Sequence, residues 1–195
     1  MNNKKVTEEE LQAWLEGVHF GSCCSDPVDS SNELTTYYLQ MTSPDQLLEK
    51  PVVVGLTILE AEIKEFRFNK YLYSLVGESW QWFDKLKDSD GQWQAHVERA
   101  QLRTWVAYYK GAIAGYFELE IADNKDVEIL YFGLAPKFIG KGFGGFLLSE
   151  AIKNAWQLCD AKRVWVHTCS LDHPRALGNY QNCGFQLYKQ EIEKN

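Results

Sequence analysis

Three features of the 195-residue sequence predict a mixed α/β fold, with a central, mostly antiparallel sheet flanked by helices. Strand-like and helix-like stretches are interleaved along the chain. Two β-rich runs, LRTWVAYYKG and AIAGYFELEI, meet in a hairpin signal at Lys110-Gly111. A short apolar stretch, EILYFGLAP from Glu128, enters a glycine-dense elbow from Gly140 to Gly145, and the elbow opens the amphipathic segment FLLSEAIKNAWQLC.

In chain order, residues 7–20 read as a short amphipathic helix with Thr7 as N-cap and Leu11, Trp14, Leu15 and Val18 on one face. Residues 21–32 read as a loop, so 1–33 form a helix-loop extension on a single domain spanning 1–195. LTTYYLQM (34–41) and VVVGLTIL (52–59) look like strands that begin a meander. From Lys64 to Lys87 the pattern turns helical and strongly aromatic, and predicts two helices broken at Gly77. Ser89-Asp90-Gly91 caps a short helix to Arg99, and the hairpin follows. A turn at Asp123-Asn124-Lys125-Asp126 leads into the central strand. Beyond the elbow helix come a strand (163–171), a helix ended by Gly184 and a last strand, FQLYKQEI.

The bulk properties narrow the function. A 45% hydrophobic chain of this length holds enough core for one globular domain without disulfides or metal. A net charge of −7 argues against a nucleic-acid partner, which needs a basic face. The charge is uneven: residues 1–50 hold three Lys against nine Asp and Glu, whereas 136–170 hold five basic against two acidic residues. Five cysteines (Cys23, Cys24, Cys159, Cys169, Cys183) make no CxxC pair and no zinc spacing, and read as reduced thiols. With no apolar leader and no long apolar run, the expectation is a cytoplasmic protein without a membrane partner. Exposed aromatic or apolar edge surface could support a homodimer.

The elbow is an anion site built of main chain. Four glycines in six residues let the backbone approach a ligand, and the helix beginning there presents unpaired N–H groups at the positive end of its dipole. Gly140-x-Gly142-x-x-Gly145 formally fits a dinucleotide fingerprint, but Ala135 to Ile139 separate it from the strand, and Asp160 precedes the next strand instead of ending it. A Walker loop is excluded because no GK[ST] follows.

Residues 104–189 resemble the core of the GNAT superfamily of N-acetyltransferases. Ile139-Gly140-Lys141-Gly142-Phe143-Gly144 is similar to the family's Arg/Gln-x-x-Gly-x-Gly/Ala loop, whose amides hold the pyrophosphate of acetyl-CoA. Asn179-Tyr180-Gln181-Asn182-Cys183-Gly184-Phe185 resembles its Leu-Tyr-x-x-x-Gly-Phe ending, and His173-Pro174-Arg175-Ala176 its Asn-x-x-Ala. Ile139, His173 and Asn179 depart from those patterns, so phosphate binding would rest on main chain, with Lys141 as a nearby cation.

The resemblance implies the GNAT acyltransferase fold, acetyl-CoA as acyl donor, and direct transfer to a primary amine on a small molecule or peptide. A CoA-binding regulatory module of the same fold is the alternative. It assigns Gly140, Lys141, Gly142, Phe143, Gly144 and Gly145, with Ile139 and His173, to the cofactor, and the main chain of Phe132, Gly133 and Leu134 to the pantetheine arm and the acetyl carbonyl. Glu128 becomes the candidate general base, against a plain solvated carboxylate at a strand start. Tyr180 becomes the proton donor to the departing thiolate, against a packed aromatic. The aromatic belt supplies acceptor contacts, with Tyr71, Tyr73, Trp80 and Trp82 as candidates. His167 and Cys169 share a strand face and read as an ordinary packed pair.

Overall fold

Alternating polarity marks the strands and a 3.6-residue recurrence marks the helices, but neither pattern names the neighbour an element packs against. The computed structural model describes residues 33–80 and 82–194. The helix expected over 7–20, the loop over 21–32, and Cys23 and Cys24 lie outside the described residues. β1 (Glu33–Met41) is followed by β2 (Leu56–Glu60), α1 (Phe66–Gly77), α2 (Asp90–Glu98), β3 (Leu102–Tyr109), β4 (Ala112–Ile121) and β5 (Asp126–Leu134). Then come α3 (Phe143–Gln157), β6 (Arg163–Cys169), α4 (Ala176–Asn182) and β7 (Gln186–Lys194).

The seven strands form one sheet in the order β2-β3-β4-β5-β6-β1-β7. Every neighbouring pair is antiparallel except β5 and β6. On the back face, α3 and α4 cover the main core, where Leu147, Leu148, Ala151, Ile152 and Tyr180 meet Phe117, Leu119, Val127, Ile129, Val164 and Val166. On the front face, α1 and α2 bring Leu72, Val76, Tyr73 and Trp93 against β3 and β4 through Val106 and Tyr116.

Local signals hold where the chemistry is local. Lys110 and Gly111 both take positive φ, 49° and 82°, the conformation a two-residue hairpin turn requires. Ser89 accepts from the Gln92 amide while the Gln92 side chain accepts from the Ser89 amide, a complete capping box for α2.

Three expectations are corrected. β1 does not start a meander with β2; it lies between β6 and β7, because Leu39 and Met41 are buried in the back-face core and the connection to β2 is bonded at Leu48 N to Cys183 O (3.0 Å) and Lys50 N to Ser149 Oγ (2.9 Å). The strand expected over 52–59 begins only at Leu56, after a turn that leaves Val52 and Val54 exposed. Of the two helices expected over 64–87 only α1 forms. Trp82 folds back onto Gly77, where any Cβ would fall 2.4 Å from the tryptophan's own, and the remaining chain makes only short 3₁₀ turns.

Candidate functional site

β5 and β6 are joined at one end and apart at the other. Their parallel ladder covers three residue pairs, Asp126 with Arg163, Val127 with Val164 and Glu128 with Trp165, and no further pair is formed. Beyond Glu128 the edge of β5 therefore faces a cleft instead of a strand. A bulge deepens the opening: β4 pairs Leu119 with Ile129 and Glu118 with Tyr131, so Leu130 is left over. The extra residue also keeps Ile129 on the back face and turns Tyr131 to the front.

The resulting cavity has a volume of about 300 Å3. β5 contributes Ile129, Leu130, Phe132, Gly133 and Leu134 to its wall, and the elbow contributes Ile139, Gly140, Gly142, Gly144 and Gly145. The opposite wall carries Asp172, His173, Arg175, Ala176, Asn179 and Tyr180, and Trp80 and Trp82 close the front.

The elbow has the form an anion cradle needs. Gly142 is the N-cap of α3 in the left-handed region (φ 80°) and supplies no side chain to the first-turn amides, which stay open to a ligand. A Cβ on Gly140 or Gly142 would meet no protein atom within 4 Å, so those positions border free space, while Phe143 turns inward against Tyr109 and Phe138, with ring centroids 4.9 and 5.9 Å apart. Lys141 holds its ammonium 5.3 Å from the centre of the Phe138 ring, outside the cavity lining. The surroundings thus fit the phosphates of a CoA thioester.

Tyr180 stands on α4, buried, between Phe132 (6.2 Å) and Phe185 (5.9 Å). Burial pushes its phenol well above the usual tyrosine value and the charge of Asp172 adds to the effect, so the hydroxyl keeps its proton at any working pH. Asp172 ties the two walls together. Its carboxylate accepts from Thr168 Oγ1 (2.7 Å) and the Cys169 amide (3.0 Å) on β6, and from the Trp82 indole (3.4 Å) across the cleft. Beside it His173 accepts from the Arg175 amide (3.0 Å) and packs against Trp80, ring centres 4.8 Å apart.

The aromatic candidates divide. Trp80 and Trp82 reach the cavity; Tyr73 is buried in the front core against Trp93 and Tyr131, and Tyr71 is 53% exposed on α1, so both are corrected from wall to scaffold and surface. Tyr71 follows from helix phase: Leu72, Tyr73 and Val76 take the buried stripe and leave 71 outside it. Gly133 serves packing as well as lining, since a Cβ there would strike Val76 at 2.4 Å.

Glu128 lies on the front face at the last rung of the β5–β6 ladder, outside the cavity lining, and its carboxylate bonds to His167 Nδ1 at 2.9 Å. His167 is thus no packed core residue: its side chain is 46% exposed against 14% for Glu128. The Glu128 bond holds the imidazole pKa above the ordinary histidine value. Burial pushes the Cys169 thiol up, the wrong direction for a nucleophile. Alternation along β6 places His167 on a face, but its pairing with Glu128 requires the parallel register. Leu130, Asp172 and Arg175 are given no role by the sequence, since a bulge and a loop turn leave no periodic signal.

The chain matches the sequence model of the Acetyltransferase (GNAT) family over residues 63–185, a span that begins just ahead of α1. No curated protein sequence matches it. Solved structures share its fold at low identity. A GCN5-related N-acetyltransferase from Kribbella flavida is 16% identical with a TM-score of 0.59, over 81% of this chain and 56% of its own. An acetyltransferase from Bacillus subtilis in complex with CoA is 24% identical with a TM-score of 0.53, over 69% of this chain and 78% of its own. An aminoglycoside acetyltransferase from an uncultured soil metagenomic sample is 14% identical with a TM-score of 0.55, over 66% and 87%. The chain spans just over half the length of the Kribbella protein.

Proposed function

Because the chain belongs to the GNAT family of acetyltransferases, we propose that it is an acetyl-CoA-dependent N-acetyltransferase acting on a primary amine, by direct attack in a ternary complex. The observation that carries this reading is the cavity between the separated ends of β5 and β6, with the elbow amides at one end and the Tyr180 phenol on its wall. The first turn of α3 would hold the phosphates, and the unpaired edge of β5 at Phe132, Gly133 and Leu134 would take the pantetheine amides and the acetyl carbonyl. Acetyl-CoA supplies the activated thioester carbon. Trp80 and Trp82 exclude water from the front and offer aromatic faces to the amine.

The amine lone pair forms the new C–N bond as the C–S bond breaks. Tyr180 meets the sulfur with a hydroxyl that still carries its proton when the thiolate departs. Giving a proton from so weak an acid is favourable only because the same apolar wall raises the basicity of the leaving thiolate. The amine's own proton leaves toward the front face, where Glu128 stands.

Free-thiol release from acetyl-CoA across a varied amine panel tests the reading. Tyr180→Phe should lower turnover by about 100-fold with CoA affinity unchanged. Gly142→Val, which forces a β-branched residue to a φ of 80° and fills the cradle, should abolish thermal stabilisation by CoA, and Ile139→Ala should not. Binding of CoA without thiol release from any amine makes the chain a CoA-binding regulatory module instead. A cytoplasmic location completes the proposal; among the described residues no helix is long and apolar enough to cross a membrane.

A further inference from the structure

We infer that the imidazole of His167, gripped at Nδ1 by Glu128, accepts the proton that the attacking amine loses. The inference rests on the acetyltransferase reading above and changes the part Glu128 plays in it, from proton acceptor to orienting carboxylate.

The geometry separates the two roles. Glu128 Oε1 is engaged by the imidazole at 2.9 Å, and its side chain is 14% exposed. His167 is 46% exposed, and its Nε2 has no hydrogen-bond partner among the described residues. One ring nitrogen is fixed by a carboxylate and the other is free toward solvent, the arrangement that sets a single tautomer with Nε2 as the basic atom. The ring is also fixed laterally, between Tyr38 of β1 and Trp165 of its own strand, each 6.1 Å away centre to centre.

Position along β6 connects the pair to the cavity. His167 stands two residues past the last parallel rung, where the strands have begun to part. The next residue, Thr168, donates to Asp172, which lines the cavity. The rim of the cleft and the imidazole therefore share one short stretch of backbone, and the proton would cross the remaining gap through solvent.

Basicity favours the imidazole over the carboxylate. A free carboxylate has a pKa near 4.3 and an imidazole near 6.5, so near neutral pH the imidazole is the better matched acceptor. The carboxylates near the ring push the same way, against the burial that lowers its pKa. Glu128 on β5 is the largest influence and Asp172 after β6 adds to it, both raising the imidazole pKa. On the other side Tyr38 donates to Glu191 of β7 at 2.6 Å, and Lys189 lies 4.7 Å from the Tyr38 ring centre.

The step balances without an outside reagent. The amine nitrogen bonds to the acetyl carbon, the C–S bond breaks, the N–H proton passes through solvent to His167 Nε2, and the Nδ1 proton stays in its bond to Glu128. Tyr180 protonates the thiolate. Solvent then removes the proton from Nε2 and restores the Tyr180 hydroxyl, with no change of oxidation state.

The test is the pH dependence of kcat/KM for the full chain, with thermal stabilisation by CoA as the check on folding. Wild type should show a rising limb with its midpoint above 6.5, since only neutral His167 accepts. Glu128→Gln should move that midpoint to lower pH, because the anion that raised it is gone. His167→Asn, and His167→Gln as a second variant of different length, should lose the limb and about 100-fold in turnover, with part restored by added imidazole and CoA stabilisation unchanged. His167 variants with the wild-type profile and turnover within twofold would overturn the relay alone, and loss of the limb in Glu128→Gln with its retention in His167→Asn would return the base to Glu128. A wild-type chain that releases no thiol removes the acetyltransferase reading and the relay together.

Discussion

Glu118 and Glu128 stand on the same face of the sheet, each beside an imidazole, in opposite relation to water. Glu118, on β4, is sealed under α1 and α2: its side chain is 2% exposed, Asn69 Nδ2 donates to it at 2.7 Å and to Thr104 Oγ1 at 2.9 Å, and His96 Nε2 lies 3.6 Å away. Beside it the buried Tyr116 hydroxyl has no hydrogen-bond partner among the described residues, and burial with the Glu118 charge pushes that phenol far up. Glu128, one strand over, holds a half-exposed imidazole. The same two residue types make a fixed internal network in one place and a proton-exchanging pair in the other. What separates them is solvent access, because a buried group with no path to water cannot relax its charge or return a proton.

Breaking each pair should show the difference. The largest effect on stability is expected from Glu118→Ala, which strands the Asn69 amide and the His96 ring in the core. It should cost about 3 kcal/mol in denaturant unfolding. Glu128→Gln should change stability by less than about 0.5 kcal/mol, since the ion pair it removes is partly solvated, while lowering turnover. A variant pair with the reverse pattern would dissolve the contrast.

The pH dependence of stability sharpens it further. The folded pKa of His167 lies above its ordinary value of 6.5, so its bond to Glu128 stabilises fully below about pH 6.5 and is lost as pH rises through the folded value. With a half-exposed ring the effect is a fraction of a kcal/mol, read as a small convergence of wild-type and Glu128→Gln stabilities at alkaline pH. Trp82→Phe, which deletes the indole bond to Asp172 across the cleft, should cost at most about 1 kcal/mol in thermal unfolding. Its clearer readout is a weaker apparent affinity for the amine, since the front wall loosens.

Much of the elbow side of the cavity was legible beforehand because its signals are local. The glycines of the elbow, the apolar recurrence of α3 from Phe146 to Ala155 and the spacing to Tyr180 need no distant partner to be read. The front wall was less legible. Tyr71, Tyr73, Trp80 and Trp82 belong to one aromatic run, and only the packing of Trp82 onto Gly77 and against Tyr131 divides the two that reach the cavity from the two that do not.

The sequence by itself determined the hairpin at Lys110-Gly111, the capped start of α2, the positive-φ elbow and the helix behind it, since each depends on backbone preferences within a few residues. Tertiary structure alone decided that β1 lies between β6 and β7, that β5 and β6 part after Glu128, that Leu130 bulges and that Glu128 meets His167. The physical reason is that a strand's alternation tells which residues share a face and nothing about which strand lies alongside. Partner and register are settled by the burial of whole faces.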